Sequence, residues 1–368
     1  MTTATLPARP RLKGSVEVFF ASDGTLYLLR PGGDADLVIR DAGAAERALF
    51  QNLGGEATLA ELPAKLRAAG APWSDEETTE TIEQLVGLGL VEDAESDARA
   101  GLGAEELARY DRQLAYFSEL VAPGESRALL QARLEQARVV VLGLGGLGSW
   151  AAYALACAGV GRIDGIDGDV IELSNLNRQI LYARADVGRP KAQVAAEAIR
   201  RFNPSIEFNP IQRRLESQAD VEAHIAGADF LVEMADWPVD KIGHWCNAAC
   251  FRLGVPYIAA SQFPPMVRIG PTYQPGVTGC LECQETVHRS EFPFFDELLA
   301  ARARSTEEAA TFGPACGLIG SLVATDVVHH LTGICEPATL GTALLVDIRR
   351  MEVTRETVPR SPGCPVCG

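Results

Sequence analysis

Val139-Val140-Val141-Leu142-Gly143-Leu144-Gly145-Gly146-Leu147-Gly148 opens the stretch, residues 138–191, whose reading decides the fold. An apolar strand runs into a glycine turn and a helix; a second strand ends at Asp167. The loop Ser174-Asn175-Leu176-Asn177-Arg178-Gln179 follows, then Gly188-Arg189-Pro190-Lys191. Strand, glycine turn and helix bring backbone N–H groups and the positive end of a helix dipole to one point, where an anion can sit. Gly143, Gly145 and Gly148 satisfy the dinucleotide spacing, and Asp167 stands where an acid holds ribose hydroxyls. That spacing alone fits a nicotinamide site or a plain tight turn as well. The Arg and Lys that follow favour a triphosphate about to lose pyrophosphate, because negative charge builds on that leaving group.

Working outward, strands at 138–142, 162–167, 205–211, 228–233 and 255–259 alternate with helices at 147–159, 190–202, 218–226 and 239–253. The pattern predicts an α/β fold, a Rossmann-like, mostly parallel sheet with helices on both faces. After residue 266 it turns to antiparallel strands, a polar segment at 286–313, a helix at 318–331 and a last strand at 343–347. Residues 1–95 read differently. Strands at 16–20 and 25–29 flank Ser22-Asp23-Gly24, with a third near 36–40. Helices follow at 44–53, after the capping pattern Thr58 to Glu61, and after Ser74 to Glu77; the last carries Ile82, Leu85, Val86 and Leu88 inward and ends at Gly89. A small α+β, winged-helix-like domain at 1–95 is expected, joined by the acidic linker Glu92-Asp93-Ala94-Glu95-Ser96-Asp97 to a larger domain at 96–368. That domain starts with a helix at 104–120 containing Arg109-Tyr110-Asp111-Arg112-Gln113.

With 368 residues, 47% hydrophobic and 22% charged, the chain has the balance of a globular protein. A net charge of −16 argues against non-specific binding to nucleic acid or anionic membrane. No stretch reads as the roughly 18 apolar residues of a membrane span, and residues 1–10 lack a signal core, so a cytoplasmic protein is expected. Nine cysteines without a signal make a disulfide scaffold improbable. Cys280 with Cys283, and Cys364 with Cys367, form two Cys-x-x-Cys knuckles, read as a four-thiolate structural zinc site against free thiols or redox pairs. Cys316, in Pro314-Ala315-Cys316-Gly317 beside an apolar helix, reads as a small buried core residue. Cys157, Cys246, Cys250 and Cys335 are expected in apolar helices as structural residues. His329 and His330 are adjacent and read as surface or core residues rather than ligands.

In this order, the glycine turn, Asp167-Gly168-Asp169, the Ser-Asn-Leu-x-Arg-Gln loop, Gly-x-Pro-Lys and two Cys-x-x-Cys pairs resemble the ThiF-, MoeB- and MccB-like adenylating enzymes that activate ubiquitin-like proteins and related substrates. The resemblance covers roughly residues 107–368. It implies that Gly143, Gly145, Gly146 and Gly148 cradle ATP, that Asp167 binds ribose beside Asp169, and that Asn175, Arg178 and Lys191 contact phosphates. It further implies that Asp236 holds Mg2+, and that Arg112 reaches the γ-phosphate across a homodimer interface; the plainer alternative for Arg112 is a surface salt bridge. The family often has Asp-x-x-Asp-Asn at the magnesium segment and an arginine downstream, where this chain has Glu233, Trp237 and Lys241. The implied reaction is attack of a carboxylate on the α-phosphorus, giving an acyl adenylate and pyrophosphate. No cysteine lies between Gln284 and Gly313 to carry a thioester. Residues 1–95 resemble PqqD-like domains that bind leader peptides of ribosomally made, modified peptides, against a generic winged helix for dimerisation. The expected partner is a precursor peptide with a leader, of basic character to suit an acidic chain. The alternatives are a ubiquitin-like sulfur carrier ending in Gly-Gly, or a silent leader-binding scaffold.

Overall fold

The structure, a computed structural model, describes residues 6–30, 37–121, 125–239, 241–304 and 310–368. The chain divides into two compact units, Met1–Arg133 and Leu134–Gly368.

In the first unit, β1 (Pro10–Leu12) precedes β2 (Glu17–Phe20), β3 (Leu26–Leu29) and β4 (Leu37–Ile39). The last three form an antiparallel sheet in that order. The β2–β3 turn is closed by Asp23, whose carboxylate accepts the Thr25 N–H at 2.9 Å, and by Gly24 at φ +84°, which L side chains avoid. Three helices follow: α1 (Ala44–Gln51), α2 (Leu62–Ala68) and α3 (Asp75–Gly87). Both capping patterns form. Glu61 N–H donates to Thr58 Oγ1 at 3.2 Å while Thr58 N–H donates to Glu61 Oε2 at 3.0 Å; the Ser74–Glu77 pair has 3.1 and 2.8 Å. Leu26, Leu28, Leu49, Leu62, Leu66, Ile82, Leu85 and Val86 make the core. Leu88, expected inward, is 51% exposed. It sits at the helix C-cap, where the chain leaves the helical path, and Leu90 and Val91 take the inward place.

The acidic run is not a linker. β5 (Val91–Asp93) pairs antiparallel with β1, and α4 (Glu95–Arg99) follows. Arg11 lies 2.8 Å from both Glu92 and Asp97, and Arg127 lies 3.1 Å from Asp97. Two arginines distant in sequence thus pair with Glu92 and Asp97 and hold the run in the first unit, where the compact boundary falls at 133/134 instead of 95/96. The helix expected at 104–120 is broken at Tyr110 (φ −98°, ψ 12°) into α5 (Ala104–Arg109) and α6 (Asp111–Leu120); α7 (Arg127–Gln136) spans the boundary.

The second unit continues with β6 (Arg138–Leu142), α8 (Gly146–Ala158), β7 (Arg162–Ile166), α9 (Lys191–Phe202), β8 (Glu207–Ile211), α10 (Gln218–Ile225), β9 (Phe230–Glu233) and α11 (Ile242–Leu253). After these come β10 (Tyr257–Phe263), β11 (Met266–Tyr273), α12 (Leu281–Glu291), α13 (Phe295–Arg304), α14 (Gly313–Thr332), β12 (Thr342–Asp347) and β13 (Glu352–Thr357). One eight-stranded sheet runs β13-β12-β11-β10-β9-β6-β7-β8. It is parallel from β10 to β8 and antiparallel from β10 to β13. The α/β fold, a mostly parallel sheet flanked by helices, is the one the sequence pattern predicts. Part of the segment read as polar, 286–313, is helical in α12 and α13, and β13 went unrecognised because it alternates no buried residues.

Alternation along β6 sends Val140 and Leu142 to one face, where they pack with Val221 and Ile225 of α10, Cys246 and Cys250 of α11, and Tyr257 and Tyr273. On the other face α14 packs along α8 and against β10 and β11. α14 is long and apolar enough to cross a membrane by length and composition, contrary to the expectation that no stretch is. Ala315, Cys316, Ile319, Val323, Ala324 and Val327 of it are buried, as the core helix of a globular protein would be. Gly320 allows the close approach: a Cβ there would come 2.5 Å from Trp150 Cβ and 2.8 Å from the Ala151 nitrogen.

Candidate active site: a nucleotide crevice and a thiolate cluster

The glycines of the β6–α8 turn are required for distinct reasons. Gly143 has φ +88°, and a side chain there would meet the Met234 backbone at 2.8 Å. A Cβ on Gly148 would lie 1.8 Å from the Gly143 carbonyl oxygen. Gly145 is the N-cap of α8 with no side-chain cap, so the helix start presents backbone N–H groups. Gly146 faces Cys316 Sγ (3.1 Å from its would-be Cβ) and the Arg178 side chain (3.4 Å).

Asp167, 9% exposed, ends this crevice. Its carboxylate accepts the Leu144 N–H and the Asp169 N–H, each at 2.8 Å, and burial raises its pKa despite Lys191 nearby. Asp169 takes Lys191 Nζ at 3.1 Å and an Arg214 nitrogen at 2.7 Å. Desolvation pushes the Asp169 pKa up, but these two cations hold it below the usual range. Lys191 is the first residue of α9 and is 7% exposed, a buried cation paired with Asp169. Asn175 is buried, and its Oδ1 accepts the Glu172 N–H at 3.1 Å. Arg178 is half-buried and donates to the Ser174 carbonyl at 2.8 Å, while Trp150 Nε1 donates to the Arg178 carbonyl at 3.0 Å. Gly313, at the start of α14, packs so near this loop that a Cβ would come 2.4 Å from the Asn177 carbonyl oxygen.

The crevice therefore gathers Gly143, Gly145, Gly146, Gly148, Asp167, Asp169, Asn175, Arg178 and Lys191 at the carboxyl ends of β6 and β7. Asp236 follows β9 and is exposed. Arg112 belongs to the first unit; its side chain is 97% exposed, with Asp111 at 3.7 Å. Residues that the sequence reading missed are Arg214, which carries no motif, and Gln179, singled out only as part of its loop. Gln179 is 5% exposed, its Nε2 lies 3.8 Å from the would-be Cβ of Gly145, and its Oε1 is buried with no hydrogen-bond partner among the described residues. Cys316 is fully buried, as expected, and burial raises its pKa. Cys246 and Cys250 are buried in α11, whereas Cys157 is exposed on α8 and Cys335 is exposed beyond α14, outside any helix. The His330 ring packs edge-on against Phe230 at 5.1 Å.

Glu233, at the end of β9, is 8% exposed, and burial, with Asp236 adding repulsion, pushes its pKa up to about 8. Between roughly pH 4.5 and 8 the unfolded chain releases a proton that the folded chain keeps, so stability falls as pH rises through this window. Glu233→Gln lacks the term, and its melting temperature relative to wild type should rise from pH 5 to pH 9, by the equivalent of roughly 3–5 kcal/mol. A difference that stays flat with pH would show that Glu233 ionises normally.

The four knuckle cysteines converge. Cys280 and Cys283 are buried at the start of α12, and all four Sγ atoms lie within 4.8 Å of one another. Cys280–Cys283, Cys280–Cys364 and Cys283–Cys367 measure 3.9, 3.5 and 3.3 Å, too long for disulfides. A tetrahedral zinc with bonds of about 2.3 Å sets sulfurs about 3.8 Å apart, so the donor set fits that ion. The Ser361 N–H donates to Cys283 Sγ at 3.3 Å, as a thiolate ligand requires. Nearby, His244 lies 2.8 Å from Glu282 and 3.3 Å from Glu285, and Arg289 shares Glu285 at 2.9 Å, an ion-pair network tying α11 to α12.

A parallel sheet with a glycine turn, an uncapped helix start and a buried acid at its carboxyl edge has the form of the nucleotide-binding α/β proteins. Residues 110–366 match the ThiF family, and the chain belongs to it. It is 34% identical to the molybdopterin-synthase adenylyltransferase of Escherichia coli K12 over 271 residues, 73% of this chain and 99% of that protein. With the sulfur carrier protein ThiS adenylyltransferase of the same strain it shares 33% over 260 residues, 71% of this chain and 94% of that protein. The structure of E. coli MccB with ATP superposes with a TM-score of 0.73 at 26% identity, covering 98% of this chain and 99% of that one.

Proposed function

We propose that this protein adenylates a carboxylate of a ribosomally made precursor peptide, which it captures by its leader. The chain is an ATP-dependent adenylyltransferase of the ThiF family. The observation that favours a peptide is one of coverage. The adenylyltransferases named for molybdopterin synthase and ThiS match under three quarters of this chain, whereas MccB, solved as a microcin C7 biosynthetic enzyme in complex with N-formylated MccA, matches 98% of it. The first unit therefore has a counterpart in a peptide-bound enzyme. Activation of a Gly-Gly sulfur carrier is the second reading, favoured by the higher identity to those shorter relatives.

In this reading ATP lies with its phosphates at the α8 start, between Arg178 and Lys191, with its ribose at Asp167. Asp236 is the residue that would hold Mg2+, which would supply positive charge beside the phosphates. Arg178 and Lys191 stabilise the charge that grows on pyrophosphate as the substrate carboxylate attacks, and an ionised carboxylate needs no enzyme base. Arg112 comes from the partner of a symmetric dimer. Cys280, Cys283, Cys364 and Cys367 would hold a zinc ion that would fasten the C-terminal segment to α12 and supply no chemistry.

The leader adds as a strand to the open edge of the β2-β3-β4 sheet at β4. Being tethered, it keeps its core at an effective concentration of about millimolar, offsetting weak contacts to the core itself. ATP–pyrophosphate exchange with the full chain tests the reading: the precursor peptide should stimulate exchange, and a proline in β4 should raise the KM for the peptide about tenfold while leaving the KM for ATP unchanged. Exchange driven by a Gly-Gly carrier, indifferent to that proline, would favour the second reading.

A further inference from the structure

Arg214 and Trp237 come from the two strands that flank the crevice. In the order β9-β6-β7-β8, Arg214 follows β8 and Trp237 follows β9, and they meet with the guanidinium carbon 5.4 Å from the indole centroid. Arg214 is fixed from two further directions. It donates to Asp169 Oδ1 at 2.7 Å, and a Cβ on Gly168 would come 2.5 Å from its Cγ and 2.9 Å from its backbone nitrogen. Trp237 nevertheless leaves 51% of its surface open, one residue from Asp236. A cation held by a carboxylate beside a half-open aromatic ring presents a flat surface with an affinity for another π system.

With phosphates at the α8 start and ribose at Asp167, the base is carried past Asp167, away from α8. Asp169 and Arg214 stand there. We propose that the Arg214–Trp237 pair is the wall against which the purine ring of ATP lies, Asp169 fixing the guanidinium plane. This rests on the adenylation reading and assigns work to Arg214, which lies outside the family motifs quoted above, and to Trp237, which stands beside Asp236 in the magnesium segment. It also accounts for a large apolar side chain where the family often has Asn after the magnesium acid.

Calorimetry on the full-length protein with two magnesium complexes, ATP and inorganic tripolyphosphate, tests it. Trp237→Ala should weaken ATP binding about tenfold, the loss expected for one base–aromatic stack, and leave tripolyphosphate unchanged, while Arg214→Ala should weaken ATP binding about tenfold more than it weakens tripolyphosphate binding. Trp237→Phe should keep most of the ATP affinity and lose the fluorescence quench that ATP causes in wild type. Arg214→Lys, which keeps the charge on Asp169 but not the planar group, should resemble Arg214→Ala. Unchanged ATP affinity in a folded Trp237→Ala or Arg214→Ala protein, with no quench in wild type, would overturn the wall while leaving the phosphate site standing. A wild-type protein that binds neither compound would overturn the adenylation reading itself.

Discussion

Arg112→Ala and Lys191→Ala proteins, each nearly inactive, should recover about a quarter of wild-type ATP–pyrophosphate exchange when their subunits are reassorted, since half the dimers then carry one intact site of two. Each variant alone should lose roughly 10²–10³ in rate, the effect of removing one preorganised charge from a growing anion. Lys191 supports this directly: it is 7% exposed and held by Asp169 at 3.1 Å, so it enters the crevice already oriented. Arg112 is the opposite case, a guanidinium 97% exposed with an adjacent acid at 3.7 Å, which is either surface decoration or a group waiting for a second chain. Recovery on mixing requires the second. If the mixture stays as inactive as its parents, Arg112 is a surface salt bridge.

Protein prepared without chelator should contain one zinc per chain, and Cys364→Ser should lower the melting temperature by roughly 10 °C or more, as loss of a structural metal ligand does in a unit of this size. The folded fraction should bind ATP as wild type does, because the thiolates lie at α12 and the proposed phosphate site at α8. Zinc-free protein with an unshifted melting curve would leave four reduced thiols of no structural weight.

Much of this was legible because the constraint was local. Gly143 and Gly148 announce a turn in which a single Cβ would strike backbone, and the Thr58–Glu61 and Ser74–Glu77 pairs mark helix starts with bonds spanning three residues. The knuckles carry their own geometry. What escaped depended on partners far away in sequence. Glu92 and Asp97 looked like a solvated run until Arg11 and Arg127 closed on them, and Arg214 looked like any basic residue after a strand. Leu88 fits the helical period but stands where the helix has already ended. α14 has the composition of a membrane span because nearly every side of its first turns meets protein.

That helix has a thermodynamic consequence for nucleotide binding. Gly313 packs on the Asn177 carbonyl and Gly320 on Trp150, so one helix braces both α8, where the proposed reading sets the phosphates, and the loop that carries Arg178. The cradle is ordered when the chain folds, and the entropy of assembling it is not charged again to each molecule of ATP. Its heat of binding should therefore report contacts to the ligand rather than rearrangement of the host.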